Sequence, residues 1–176
     1  MRGNNMNEFN EAMFKTKVDN IFVKLYTCIM KGDLTDVKHF ISNELYDRFT
    51  LRIEELSSYN QRQMYDEINV KNTNILSRNI NDNKEVIEVE IISRYMDYIL
   101  NLDTGDLVSG DDTRRVEKRN ILRFEKRLDA KDISLVRRCP GCGASIDVNH
   151  TGKCEYCDTI FNNEDYDYIL VEINVN

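Results

Sequence analysis

Apolar residues that recur at steps of three and four predict helices in the first third of the chain. Gly32 is suited to end the first helix, Asp33 to cap a short second helix and Ser42 to cap a third. Each helix then presents one apolar face to a core. These faces consist of Phe14, Val18, Ile21, Phe22, Leu25 and Ile29, then Leu34, Val37, Phe40 and Ile41, then Leu45, Phe49, Ile53, Leu56 and Tyr59.

From residue 68 onward, apolar residues alternate with polar ones, which predicts strands. A first strand runs from Ile68 towards Leu76, and Asn81-Asp82-Asn83 forms a turn to the second. Loops predicted at residues 103–105 and 110–112 precede a third strand, and residues 166–175 form the last. The inward positions are Ile87, Val89, Ile91 and Tyr95 in the second strand, and Val116, Leu122, Phe124 and Leu128 in the third.

Strands joined by short turns pair antiparallel, so the pattern predicts an α+β fold in which N-terminal helices pack on a curved antiparallel meander. One face of the sheet then contacts the helices and the other faces water. On the water face, Glu88 and Glu90 are expected to pair across strands with Arg119 or Arg123.

The composition is that of an ordinary globular chain. Of the 176 residues 41% are hydrophobic, and the formal net charge of -7 disfavours a general nucleic-acid binder. No apolar run approaches the roughly 20 residues of a membrane helix, and no signal-peptide pattern opens the chain. We therefore expect a cytoplasmic protein, in solution or peripherally attached to a membrane.

Basic residues nevertheless concentrate in the third strand. They are candidates for contact with an anionic surface, with lipid as plausible a surface as RNA or DNA. The alternative is a solvated strand face whose charge is neutralised by neighbouring glutamates. The candidates are Arg115, Lys118, Arg119, Arg123, Lys126 and Arg127.

Four of the five cysteines form two Cys-x-x-Cys pairs, Cys139 with Cys142 and Cys154 with Cys157. This spacing predicts one structural Zn²⁺ held by four thiolates, a closed set that leaves no position for a catalytic water. Iron is the alternative metal and a redox dithiol pair the alternative chemistry. The fifth cysteine, Cys28, lies on the apolar face of the first helix, so we expect a buried core thiol.

The order of helices, meander, four-cysteine ribbon and last strand resembles the bacterial proteins related to subunit 44 of the mitochondrial translocase of the inner membrane. These Tim44-like proteins share the cone fold of the superfamily named after nuclear transport factor 2. The residues that carry the resemblance are 18–26 and 33–49 in the helices, 105–110 and 115–127 in the third strand, and 139–144, 152–157 and 166–170 in the ribbon and closing strand.

The resemblance implies a zinc ribbon inserted into the cone before its last strand. The cone would consist of residues 1–132 and 164–176, and the ribbon of residues 133–163. It also implies a binding or scaffold protein without catalytic activity, whose partners are proteins at or near a membrane. An exposed edge strand is a possible homodimer contact.

A small-molecule enzyme of the cone type is the remaining hypothesis. Such enzymes place a carboxylate or tyrosine with a raised pKa in the cone pocket. Tyr95 and Asp97 are the pocket candidates, because Asp97 extends the inward series that ends at Tyr95. We expect instead that a strand bend near Met96 turns Asp97 towards water.

Overall fold

The computed structural model describes residues 9–128, 142–143, 156–157 and 167–175. A short 3₁₀ helix lies between two α-helices, and four strands follow. The elements are α1 (Glu11–Lys31), the 3₁₀ helix (Thr35–Phe40), α2 (Asn43–Ser58), β1 (Gln61–Asn81), β2 (Lys84–Asn101), β3 (Leu107–Arg127) and β4 (Ile169–Val175).

The predicted helix ends are largely confirmed. Gly32 ends α1 with a left-handed φ of 70°, a conformation that glycine adopts without steric cost. The Ser42 hydroxyl caps α2 by accepting a hydrogen bond from the Leu45 amide at 3.2 Å. Asp33 makes the predicted capping contact, one position further from the helix than expected. Leu34 is the residue directly before the 3₁₀ helix, and the Asp33 carboxylate accepts from the amide of Thr35, the first residue of that helix, at 2.9 Å.

The strands form one antiparallel sheet in the order β1-β2-β3-β4, which confirms the meander and the α+β class. The turn predicted at Asp82 and Asn83 is present, with positive φ at both residues. Strand β1 begins at Gln61, seven residues before the predicted start at Ile68. Apolar and polar residues do not alternate in residues 61–67. These residues belong to the sheet because their backbone pairs with β2.

The core lies between α1 and the sheet face that we call the inner face. All six predicted apolar residues of α1 are buried, and so are Ile87, Val89, Ile91, Leu122 and Phe124. The rings of Phe14 and Phe124 meet edge to face with centroids 5.6 Å apart. Helix α1 therefore packs on the inner face of the sheet.

Three residues predicted to be inward are exposed. Val116, Leu128 and Tyr59 expose 47%, 48% and 68% of their surface. Val116 lies beside an irregularity in β3, Leu128 follows the last residue of β3, and Tyr59 follows the last residue of α2. Each residue has the parity or spacing of the buried residues in its element. Each lies, however, at a point where that element no longer faces the core.

The loop predicted at residues 110–112 lies within β3 as an irregularity. Four β3 residues, 112–115, stand opposite the single residue Met96 of β2. The Asp111 carboxylate accepts from the amides of Thr113 and Arg114, and the hydrogen bonds from Thr113 lower the pKa of Asp111 to about 2. Gly110 is required here, because a Cβ would lie 2.2 Å from the Asp97 carbonyl oxygen.

Candidate functional site

A cleft opens between α2 and the first residues of β1. Phe49 and Ile53 of α2, which line the cleft, are only half-buried. The cavity volume is about 60 Å³, well below the roughly 300–1,000 Å³ of small-molecule sites. The lining is apolar at Ile29, Phe49, Ile53, Leu56 and Tyr65, and polar at Arg52, Gln61, Arg62 and Gln63.

Two arginines line this cleft, Arg52 from α2 and Arg62 from β1. On β1, Arg62 lies over Gly32 at the end of α1 and donates to the Lys31 carbonyl oxygen at 3.1 Å. That position is favourable, because the C-terminus of a helix attracts cations. On α2, Arg52 pairs with Glu55 at 2.7 Å. Each guanidinium has five N–H donors, and one donor of each is hydrogen-bonded within the residues that the structure describes.

Tyr95, one of the two pocket candidates, lies on the inner face as predicted. It is 1% exposed, and its ring centroid lies 5.5 Å from those of Tyr26 and Tyr65. Burial raises the pKa of all three tyrosines. The three rings therefore form a packed aromatic cluster under the C-terminal half of α1.

Asp97, the other pocket candidate, sits at the rim of this cluster. The β2–β3 register shifts between Tyr95 and Asp97, as expected for a bend near Met96. The Asp97 side chain is 39% exposed, accepts from Gln63 Nε2 at 2.8 Å, and lies 3.8 Å from Lys118 Nζ. The structure thus brings Tyr95 and Asp97 to one region, but only Tyr95 is enclosed.

Beside Tyr95, two polar side chains are fully buried on the inner face. Ser93 and Asn120 are each 0% exposed. Ser93 Oγ and both polar atoms of the Asn120 amide have no hydrogen-bond partner of regular geometry in the part of the chain that is described. The Asn120 amide is nevertheless close enough to the Tyr95 hydroxyl to oppose part of the rise in the pKa of Tyr95. Buried polar atoms without a hydrogen-bond partner are rare in protein cores.

The six basic candidates of β3 do not form one surface. On the outer face, Arg119 pairs with Glu90, and Arg123 pairs with Glu88 at 3.0 Å and with Glu172 at 2.9 Å. These contacts confirm the predicted cross-strand pairs.

The other basic candidates lie elsewhere. Lys118 is on the inner face near Asp97, and Arg115 lies 3.6 Å from Glu67. Lys126 lies over the ring of Tyr168 at 5.4 Å, and Arg127 is the last residue of β3. Four of the six therefore contact carboxylates, while the prediction of an anionic-surface site remains untested.

The cysteine site falls mostly outside the described residues, which include Cys142 and Cys157 but neither Cys139 nor Cys154. Both described cysteines of the set are exposed. Within residues 9–128 and the short described stretches after them, no group of three or more potential metal ligands occurs. The zinc site remains a prediction from spacing. Cys28 is buried as expected, and burial raises the pKa of its thiol.

Several of these features were missed from the sequence. The cleft depends on Arg52 and Arg62, which are 10 residues apart and look like ordinary surface arginines. Asn120 carried a usable signal, because it has the same parity in β3 as the buried residues Leu122 and Phe124. A polar residue at an inward position is the kind of exception that marks a special site.

Neither α1 nor α2, the helices of the described residues, is long and apolar enough to cross a membrane. A family model described as Tim44-like domain matches residues 4–134, more than half of the chain. No curated protein matches significantly. A similar solved structure is the crystal structure of the intermembrane space region of the chloroplast protein ARC6. It shows 9% identity and a TM-score of 0.45 over 92% of this chain and 95% of that one.

Proposed function

This chain belongs to the Tim44-like domain family, and from that premise we propose that it is a non-enzymatic binding domain for a protein partner at or near a membrane. The observation that carries the proposal is the cleft between α2 and β1. Its volume of about 60 Å³ suits one apolar side chain, and pockets of this kind hold the anchor residues of protein interfaces. A catalytic pocket would need more room and a convergent set of reactive groups.

The rest of the structure favours this function over the two alternatives. The enzyme hypothesis needs a carboxylate or a tyrosine that lines an open pocket. The side chain of Asp97 is instead 39% exposed and held by Gln63 and Lys118, and Tyr95 is packed against the rings of Tyr26 and Tyr65. The anionic-surface hypothesis needs a continuous basic patch. The basic residues of β3 are instead divided between the two sheet faces, and most are paired with carboxylates.

Site-specific photocrosslinking tests where a partner binds. A photoreactive phenylalanine at position 53, inside the cleft, is compared with one at position 51 on the exposed side of α2, where Leu51 is 67% exposed. In native extract, we expect one protein to crosslink at position 53 and not at position 51. Equal crosslinking at both positions, or none at position 53, would contradict binding in the cleft.

We also propose that Cys139, Cys142, Cys154 and Cys157 hold one structural Zn²⁺ in a ribbon of residues 133–163, inserted between β3 and β4. The support is the spacing of two Cys-x-x-Cys pairs and the pairing of Glu125 with Ile169, which brings the chain back beside the point where it leaves the sheet. An inserted module requires such adjacent ends.

Native mass spectrometry of the purified chain tests this metal site. One zinc ion per chain is expected, lost on Cys142→Ser but retained on Cys28→Ser, because Cys28 lies in the helical core. A red protein that carries one iron ion per chain would show that the bound metal is iron rather than zinc. No bound metal together with four titratable thiols would overturn the site.

A further inference from the structure

We propose that the segment bound in the cleft is acidic, with a carboxylate beside its apolar anchor residue. This inference rests on the protein-binding function proposed above and adds the chemistry of the partner. It concerns Arg52 and Arg62, which the lining of the cleft brings together from α2 and β1.

The two guanidiniums are suited to receive a carboxylate. Arg62 has no carboxylate within salt-bridge distance in residues 9–128 or the later described residues, and one of its N–H groups is used by the Lys31 carbonyl. Arg52 pairs with Glu55 through Nη1, and 50% of the Arg52 side chain is exposed. A guanidinium binds a carboxylate through two parallel N–H donors, a geometry that gives specificity as well as affinity.

The size of the cleft selects a peptide rather than a lipid. An apolar floor with cations at its rim would in principle suit an anionic amphiphile as well. A cavity of about 60 Å³ is too small for an acyl chain and accepts one small apolar side chain, since even a benzene-sized ring occupies a cavity of about 150 Å³. The remainder of a bound segment would lie across the rim, where the arginines are.

The two arginines of the cleft contrast with the negative charge of the chain as a whole. The formal net charge of -7 repels an acidic partner in general, so two cations at the cleft would orient its approach. The lining of the cleft contains both arginines and no carboxylate. Arg52 is paired with Glu55, which lies outside the lining, so Arg62 is the arginine without an acidic partner in the described residues. The cleft is thus a locally basic site on an acidic protein.

Selection from a random twelve-residue peptide library displayed on phage tests this chemistry with the full chain. The wild type is expected to enrich peptides with Asp or Glu within two positions of a small apolar residue. The double variant Arg52→Glu, Arg62→Glu should instead enrich Lys or Arg at those positions. A matched variant, Arg94→Glu, changes one exposed arginine outside the cleft and should keep the acidic preference.

The selected acidic peptide then allows a quantitative measurement by fluorescence anisotropy. Arg52→Glu should weaken its binding at least tenfold, while Arg94→Glu should change it less than twofold. Arg62→Gln provides a second variant if reversal at position 62 disturbs the end of α1. Circular dichroism confirms that each variant is folded.

The outcomes separate the two proposals. Apolar peptides without acidic residues, displaced by Ile53→Lys, would overturn the acidic chemistry and leave the protein-binding function intact. Peptides whose binding survives Ile53→Lys, or no enriched peptides, would overturn binding in the cleft itself. Sedimentation with phosphatidylglycerol vesicles that depends on Arg52 and Arg62, without any peptide preference, would assign the cleft to lipid and overturn the inference.

Discussion

The inner face of the sheet has two ends of opposite character. The apolar end consists of Ile87, Val89, Ile91, Leu122 and Phe124, and the polar end of Ser93, Tyr95, Asp97, Lys118 and Asn120. The same two strands build both ends, and α1 spans both, with Phe14 against Phe124 and Tyr26 against Tyr95. Every residue of the apolar end is completely buried. At the polar end, fully buried polar atoms lie a few residues from the exposed Asp97 side chain.

The difference shows where this fold derives its stability. Burial of an apolar side chain contributes about 1.5–3 kcal/mol, whereas a buried polar group without a partner costs about 1–3 kcal/mol. The apolar end therefore stabilises the packing of the sheet on α1, whereas the unpartnered polar groups of the polar end destabilise the fold. Truncation of a buried side chain should therefore lower the free energy of unfolding at the apolar end and raise it at the polar end.

The largest effect is expected at the apolar end. Leu122→Ala removes a fully buried side chain and should lower the free energy of unfolding by about 2–5 kcal/mol, because the cavity cannot fully collapse. Urea denaturation followed by circular dichroism measures it. Val116→Ala, on the same strand but 47% exposed, is the matched control and should change it by less than about 0.5 kcal/mol. A similar small change for Leu122→Ala would remove the distinction between the two ends.

Alkaline pH should give the next largest effect, through Tyr95 of the polar end and three tyrosines outside it, Tyr26, Tyr65 and Tyr98. A hydrogen bond to the Asp66 carboxylate raises the pKa of Tyr98 to about 12, and burial raises those of Tyr26, Tyr65 and Tyr95. The unfolded chain loses these protons near pH 10 while the folded chain retains them, so stability is complete below about pH 10 and declines towards pH 12.

The midpoint of urea unfolding, measured from pH 8 to pH 12, checks this expectation. Tyr98→Phe should make the decline shallower, because one tyrosine no longer titrates differently in the two states. A midpoint that stays constant up to pH 11.5 would show that these four tyrosines ionise as they do in water.

A smaller effect of opposite sign is expected at Ser93. Ser93→Ala removes a buried hydroxyl that has no partner in the described residues, and should raise the free energy of unfolding by about 1 kcal/mol. Differential scanning calorimetry should then show a melting temperature about 2–4 °C higher. Ser109→Ala, at an exposed position of β3, should leave it unchanged. A destabilised Ser93→Ala protein would mean that the hydroxyl has a partner.

The smallest effect is expected on the outer face. Arg123→Gln breaks ion pairs with Glu88 and Glu172, but the Arg123 side chain is 43% exposed. Exposed pairs contribute about 0.2–1 kcal/mol. The loss should be measurable by urea denaturation in 20 mM salt and absent in about 1 M salt. A loss that persists in high salt would indicate a packing role for the arginine stem.

Much of the framework was predictable, since it depends on local periodicity. The stripe of α1, the helix ends at Gly32 and Ser42, the turn at Asp82-Asn83 and the pairing of Glu88 with Arg123 are all present. The start of β1 was not predictable, because residues 61–67 are polar and join the sheet only through hydrogen bonds to β2. The cleft was not predictable either, because it depends on how far α2 stands from β1.

The amino-acid sequence by itself determined the order of helices and strands, the inward parity of β2 and β3, and the proposed cysteine ligands, since all of these follow from spacing along one segment. Only the tertiary structure decided which inward positions are enclosed, and that Arg52 and Arg62 meet at one cleft. Those outcomes depend on the packing of segments distant in the chain, where the bulge in β3 and the position of α2 decide what is covered.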